Sequence, residues 1–186
     1  VSRAALKLVG GLTAFPSMDP AGLYCVDIGA STGGFTDVLL GYGAGHVYAV
    51  DVGHGQLAEK LARDKRVTNL EKTHARDLDT ALIPQQIDLV VCDLSFISVT
   101  KALAPALELV RTGGRLVTLI KPQFEAGRAA LGKGGVVREE EDRQAAIALV
   151  RAFICQQSGW QERGLIPSPI TGADGNIEYL FCAEKP

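Results

Sequence analysis

A chain of 186 residues is long enough for one well-cored domain and short for two. Its apolar content of 47% and mean hydropathy of +0.15 exclude a disordered chain. Lysine and arginine number 19 against 21 acids, a formal net charge of −2, so the overall charge names no nucleic-acid partner.

Ser2 to Phe15 reads as a helix, with Ser2 as N-cap and Ala4, Ala5, Leu8, Leu12 and Phe15 at helical spacing. Gly10-Gly11 weakens it and Pro16 ends it. Leu23–Ile28 is the first strand and Gly34–Leu40 its helix; His46–Val52 is the second strand, followed by a helix over Gln56–Arg63. Val67–Glu71 is a short third strand. Ile87–Cys92, the fourth, is a continuous apolar run of the kind buried on both faces of a parallel sheet. Thr100–Val110 reads as a helix closed by Gly113-Gly114, and Arg115–Ile120 as the fifth strand. Pro122 to Val137 is glycine-rich, lacks periodicity and is long for a connection, the pattern of a mobile lid. A long helix over Glu139–Gln157 opens on an acidic turn, as the helix dipole favours. Two β-like runs, Trp160–Ile166 and Ile177–Ala183, close the chain with no helix between them and are expected to pair antiparallel. Alternating βα units and this last pair predict an α/β fold, a mostly parallel doubly wound sheet with a C-terminal antiparallel strand.

Cys25, Cys92, Cys155 and Cys182 show no paired spacing and are read as buried, reduced thiols. His46, His54 and His74 suit no metal motif, so no metal is expected. No signal peptide is recognisable, and no apolar run approaches the roughly 18–20 residues needed to cross a bilayer, which implies a cytoplasmic protein without stable membrane insertion. The chain begins at Val1 rather than Met and is expected to be part of a longer protein.

Asp27-Ile28-Gly29-Ala30-Ser31-Thr32-Gly33-Gly34-Phe35 is a strand, a glycine turn and a helix start, an arrangement that lets backbone approach a nucleotide-like ligand. A dinucleotide fingerprint needs a second glycine where Ser31 stands, and a carboxylate at Asp27 would repel a pyrophosphate. A cationic, phosphate-free ligand is welcomed there instead, which favours S-adenosyl-L-methionine over NAD.

Ligands of open α/β sheets lie beyond the carboxyl ends of the strands. The second strand delivers Asp51 and Val52. Asp51 either accepts from both ribose hydroxyls of a nucleoside or caps the next turn. His74 and Ala75 follow the third strand. Asp93, after the fourth, borders the reacting end of the cofactor or caps its loop through the Ser95 amide. Lys121 follows the fifth, and the stem of such a residue is partly buried. A buried lysine sheds its proton more readily and can act as a base; alternatively its ammonium pairs with Asp93. By spacing alone Lys7, on the first helix, reads as an inert surface group, and Glu178 is equally a site residue or an edge-strand gatekeeper. Six basic residues against Glu125 alone between Arg111 and Arg138, among them Arg128 and Lys133, form either a phosphate-holding segment or a solvated face.

Taken together, Ser2-Arg3-Ala4-Ala5-Leu6-Lys7-Leu8, the Asp27–Thr36 turn, Asp93-Leu94-Ser95-Phe96-Ile97-Ser98, Lys121-Pro122-Gln123-Phe124-Glu125 and Gly175-Asn176-Ile177-Glu178-Tyr179 resemble the TlyA-type family. These are FtsJ-like ribosomal RNA 2′-O-ribose methyltransferases, also labelled haemolysin A. The resemblance runs from residue 2 to about residue 183. It implies one Rossmann-like methyltransferase domain over residues 1–186, S-adenosyl-L-methionine as cofactor, and ribosomal RNA or ribosomal subunits as partner, with cytidine as the acceptor. It also implies a Lys-Asp-Lys-Glu tetrad at Lys7, Asp93, Lys121 and Glu178, and an upstream S4-like RNA-binding domain. His74 stands where the family usually has Asn. Lys121 is then the candidate base, while Arg3, Phe96, Phe124, Arg128 and Lys133 face the RNA, the aromatic rings stacking on a splayed base. Two other classes, an RNA-binding module with an unused cofactor pocket and a membrane-active haemolysin, are separated by cofactor affinity and liposome leakage.

Overall fold

The computed structural model describes residues 2–186. Seven strands form one sheet: β1 (Tyr24–Ile28), β2 (His46–Val50), β3 (Val67–Leu70), β4 (Ile87–Cys92), β5 (Val110–Ile120), β6 (Gln161–Pro167) and β7 (Tyr179–Glu184). Their order is β3-β2-β1-β4-β5-β7-β6. Neighbours from β3 to β5 are parallel, and β7 runs antiparallel to both β5 and β6. The chain moves outward from β1 to β3 and returns to β4 on the other side of β1. The order therefore reverses between β1 and β4, where a doubly wound sheet opens a crevice.

Strand alternation sends side chains to two buried faces. Cys25, Val47, Leu89, Val91, Val117, Leu119 and Leu180 pack against Ala5, Leu8 and Leu12 of α1 (Arg3–Ala14) and Phe35 and Leu39 of α2 (Gly34–Gly41). Val26, Ile28, Val90, Leu116 and Phe181 face the opposite layer. That layer is built from α4 (Ala104–Leu109) and α6 (Glu140–Gln156), through Ala106, Leu107, Ile147, Val150 and Ile154. Two-sided burial is why β4 reads as an unbroken apolar run. The glycines that weaken α1 mark its close approaches. A side chain at Gly10 would meet the Pro169 ring at 2.7 Å, and one at Gly11 would press on Leu180 at 3.4 Å.

Several boundaries differ from the sequence reading. The helix expected over 56–63 is one turn, α3 (Glu59–Ala62). The helix expected from Thr100 begins as a single 3-10 turn at Val99–Lys101 and becomes α-helical only at Ala104, since Pro105 is tolerated only in a first turn. Gly113-Gly114 lies inside β5, where the register with β4 shifts between Ile87 and Leu89. Cys155 is exposed, not buried, because it lies one residue past Ile154 and so about 100° around α6 from the apolar stripe.

The segment expected to be a mobile lid carries short local structure. It holds α5 (Pro122–Glu125), two single 3-10 turns, and a bridge between Leu131 and Val137. Asn176, 3% exposed, clamps it: its Oδ1 accepts from the Val137 amide at 3.0 Å and its Nδ2 donates to the Gly135 carbonyl at 3.1 Å. Asn176→Ala removes both bonds at a cost of about 1–3 kcal/mol. Amide exchange over 131–137 is then expected to accelerate while β4 and β5 keep their protection. Unchanged exchange at Val137 would contradict the clamp.

Candidate active site

The turn after β1 enters the crevice on Gly29 at φ 80°. A side chain there would run into the Asp93 carbonyl oxygen, so only glycine lets the β1 turn lie against the end of β4. Asp51, at the end of β2, holds the turn from the other side, its Oδ2 accepting from the Ser31 amide and its Oδ1 from the Gly53 amide, both at 2.8 Å. The amides of Gly29 and Ala30 both go to the Val50 carbonyl, at 2.9 and 3.0 Å, and that of Gly33 to the Ala30 carbonyl. Four donors that a phosphate cradle would need are thus spent inside the chain.

Three cavities meet around Ser95. One of about 330 Å³ is lined by Gly29, Ser31, Asp51, Val52, Ala75 and Asp93, together with Gln56, Thr73 and Leu94, which the sequence reading did not single out. A second, of about 290 Å³, shares Gly29, Ser31 and Asp93 and adds Arg3, Ala30, Thr32, Gly34, Phe35 and Lys121. The third, of about 440 Å³, carries Lys7, Lys121, Gln123 and Glu178, with Phe96, Phe124 and the Leu131–Gly135 side of the loop. Gly33 instead caps α2 and packs on Leu57 and Leu61, and His74 is exposed outside these cavities. Arg128 and Lys133 are exposed on the loop bordering the third cavity.

Lys7, on α1, meets Glu178, just ahead of β7, at 2.6 Å, though 171 residues separate them. Lys121, which leaves β5, meets Asp93 at 2.6 Å and donates to Ser95 Oγ at 3.0 Å. Gln123 donates from Nε2 to the second Glu178 oxygen at 2.9 Å. Lys7 and Lys121 are each 8% exposed and Glu178 2%, and both lysines, each held by a carboxylate, line the third cavity. Glu125 braces the arrangement. It accepts from Ser98 Oγ at 2.5 Å and the Val99 amide at 2.9 Å, tying the exit of β5 to the loop after β4. Burial pushes its carboxyl up, against the pull of the Ser98 hydroxyl.

Phe96 stands apart. It is 90% exposed, holds φ at 68°, and its ring lies 5.1 Å from that of Phe124 at 54°. A bulky residue in the left-handed region costs about 1–3 kcal/mol, and exposing the ring recovers none of it.

Asp27 requires a correction. Alternation along β1 turns its side chain under α2, where it is fully buried and bonded to Thr36 Oγ1 at 2.8 Å, and it lines none of the three cavities. The carboxylates facing the crevice are Asp51 and Asp93. Burial first, then the charges of Asp93 and Asp51, lift the Asp27 carboxyl to about 7 against the Thr36 hydrogen bond. Its folded value lies above its unfolded one, so its contribution to stability is full below about pH 4 and is lost as pH rises to about 7. The loss is on the order of 4 kcal/mol. Asp27→Asn is therefore expected to gain stability over the parent at pH 8 and to lose that advantage at pH 4. Denaturant titration at the two pH values checks it; a pH-independent difference would contradict it.

No helix among the described residues is long and apolar enough to cross a membrane, and no cluster of three potential metal ligands occurs among them.

Comparison with known proteins follows the same lines. The family model described as FtsJ-like methyltransferase matches residues 1–185. The chain is 49% identical over 181 residues to a 16S/23S rRNA (cytidine-2′-O)-methyltransferase TlyA of Mycobacterium tuberculosis, covering 97% of this chain and 67% of that protein. It is 44% identical to Hemolysin A of Brachyspira hyodysenteriae, over 97% of this chain and 75% of that one. A solved Lactococcus lactis structure, titled as that of a candidate hemolysin, superposes with a TM-score of 0.95 at 42% identity, over 100% of this chain and 88% of the other.

Proposed function

The chain belongs to the FtsJ-like methyltransferase family, and from that premise we propose that it transfers a methyl group from S-adenosyl-L-methionine to a ribose 2′-hydroxyl of ribosomal RNA, with cytidine as the acceptor nucleoside. The observation that carries the reading is the position of Lys121, whose side chain lines both the second and the third cavity and is held by Asp93 and Ser95 between them. One group thus faces a donor site on one side and an acceptor site on the other.

The residues present fit the cofactor. The first two cavities share Gly29, Ser31 and Asp93. They are bordered by carboxylates, and the amides of Gly29, Ala30, Ser31 and Gly33 are already committed, which suits a cationic nucleoside and disfavours a dinucleotide. Asp51 would hold the ribose, each carboxylate oxygen keeping a lone pair for a hydroxyl. Asp93 and the β1 turn would border the amino-acid end. When bound, the cofactor supplies a methyl group already activated by its sulfonium.

What remains for the chain is alignment and removal of one proton. Lys121 would take the 2′-hydroxyl proton on Nζ as the oxygen attacks, with Asp93 and Ser95 fixing its direction. Lys7, Glu178 and Gln123 would form the wall behind the acceptor ribose. Phe96 and Phe124 offer faces for a splayed base, and Arg3, Arg128 and Lys133 phosphate contacts. Such a protein works on ribosomes, in the cytoplasm, without membrane insertion or metal.

Calorimetry with S-adenosyl-L-methionine and with NAD, followed by labelled methyl transfer to ribosomal subunits, tests the proposal. Binding of the first ligand alone, with label in RNA, is expected. Tight NAD binding without response to S-adenosyl-L-methionine would overturn it.

A further inference from the structure

Gln123 sits in the acceptor cavity with its amide orientation decided by chemistry. Glu178 presents only acceptors, both of its oxygens are in use, and the bond it receives from Gln123 must come from Nε2. The other end of the amide, Oε1, is buried and has no donor. Gln123 is 9% exposed and lines the cavity beside Lys7, Lys121, Phe96 and Phe124. Among the described residues, no other buried side-chain oxygen lining that cavity lacks a partner. Asn176 Oδ1 is satisfied by Val137 and Ser95 Oγ by Lys121. A buried acceptor left without a donor is costly, and such sites are filled when the donor arrives with a ligand.

Lys7 and Lys121 wall the same cavity with N–H donors, so it offers acceptor-bearing ligands several contacts and donor-bearing ligands this one. We propose that Gln123 Oε1 accepts a hydrogen bond from the exocyclic amino group of the acceptor nucleobase, and so makes Gln123 the residue that selects an amino-bearing pyrimidine over one bearing a carbonyl in its place. With a carbonyl base, two oxygens face each other across a buried contact and neither is satisfied. A site built around such a bond rejects the wrong partner far more strongly than a shape-only pocket does. The inference rests on the ribose methyltransferase reading above and adds to it the group that reads the base.

The test uses ribosomal RNA whose mapped acceptor nucleotide is either cytidine or uridine, and reads the ratio of kcat/KM for the two. The parent is expected to favour cytidine by at least about 100-fold. Gln123→Met keeps the length and removes the acceptor, and should bring the ratio down at least about tenfold. Gln123→Glu lowers the absolute rate by crowding Glu178 but keeps an acceptor oxygen, so its preference should persist. Each variant is read by its own ratio, and either one decides should the other fail to fold. A role confined to positioning Glu178 would slow both substrates equally and leave the ratio of Gln123→Met unchanged, which overturns the assignment. Loss of preference in Gln123→Glu overturns it as well. If the parent transfers no methyl group to either RNA, the methyltransferase reading itself has failed, a result distinct from equal transfer to both.

Discussion

Lys121→Arg is expected to lose at least about 10²–10⁴-fold in single-turnover methyl transfer while binding S-adenosyl-L-methionine normally. The guanidinium keeps the charge and the pairing with Asp93, 2.6 Å from the lysine, but it takes up no proton at neutral pH. Lys121→Ala should fall as far, with a second consequence that the arginine variant avoids. It leaves Asp93, at the edge of the first two cavities, without its counter-charge. Cofactor affinity in Lys121→Ala therefore mixes two effects, and the arginine variant isolates the proton. Near-normal turnover of Lys121→Arg would make Lys121 a charge anchor and move the base elsewhere.

Glu178→Ala should be the most destabilising single change in the site. It strands the Lys7 ammonium under nine-tenths burial and removes the acceptor for Gln123 Nε2. Breaking a buried pair from one side costs about 3–5 kcal/mol, because the remaining charge is left uncompensated. The double replacement Lys7→Met with Glu178→Leu removes both charges and should recover most of that loss while remaining inactive. Urea unfolding of Lys7→Met, Glu178→Leu and the double provides the coupling. A cost below about 1 kcal/mol for Glu178→Ala would mean that water reaches the pair and that it adds no rigidity to the wall.

Much of this arrangement was legible in the sequence, for identifiable reasons. The parallel strands are short apolar runs bounded by glycine and acids, and a run such as Leu89-Val90-Val91-Cys92 has little choice but the middle of a sheet. Polar residues placed right after those runs, Asp51, Asp93 and Lys121, fall at the carboxyl ends where a crevice forms. Local patterns said less where burial depends on distant partners. Asp27 looked like a charge beside the turn, but strand alternation puts it under α2. Spacing alone leaves Lys7 inert and the role of Glu178 open, since nothing local brings residues 171 positions apart together; only the family resemblance groups them. Gln123, Glu125 and Asn176 lie within the motifs without any local sign of a role. Each acts through a contact with a remote segment, and such contacts have no period to read. Phe96 reads in the sequence as an aromatic, while its left-handed backbone is a property of the folded loop.

The most direct measurement locates the methyl group. Ribosomal subunits are incubated with the protein and methyl-labelled S-adenosyl-L-methionine, and the RNA is hydrolysed in alkali. Methylation of a 2′-oxygen removes the nucleophile that alkali uses to cleave the adjoining phosphodiester. The account predicts label in alkali-resistant dinucleotides with cytidine on the 5′ side, absent when Lys121→Arg replaces the parent protein. Label released as a base-methylated mononucleotide, or label that persists in Lys121→Arg at the parent level, would contradict it.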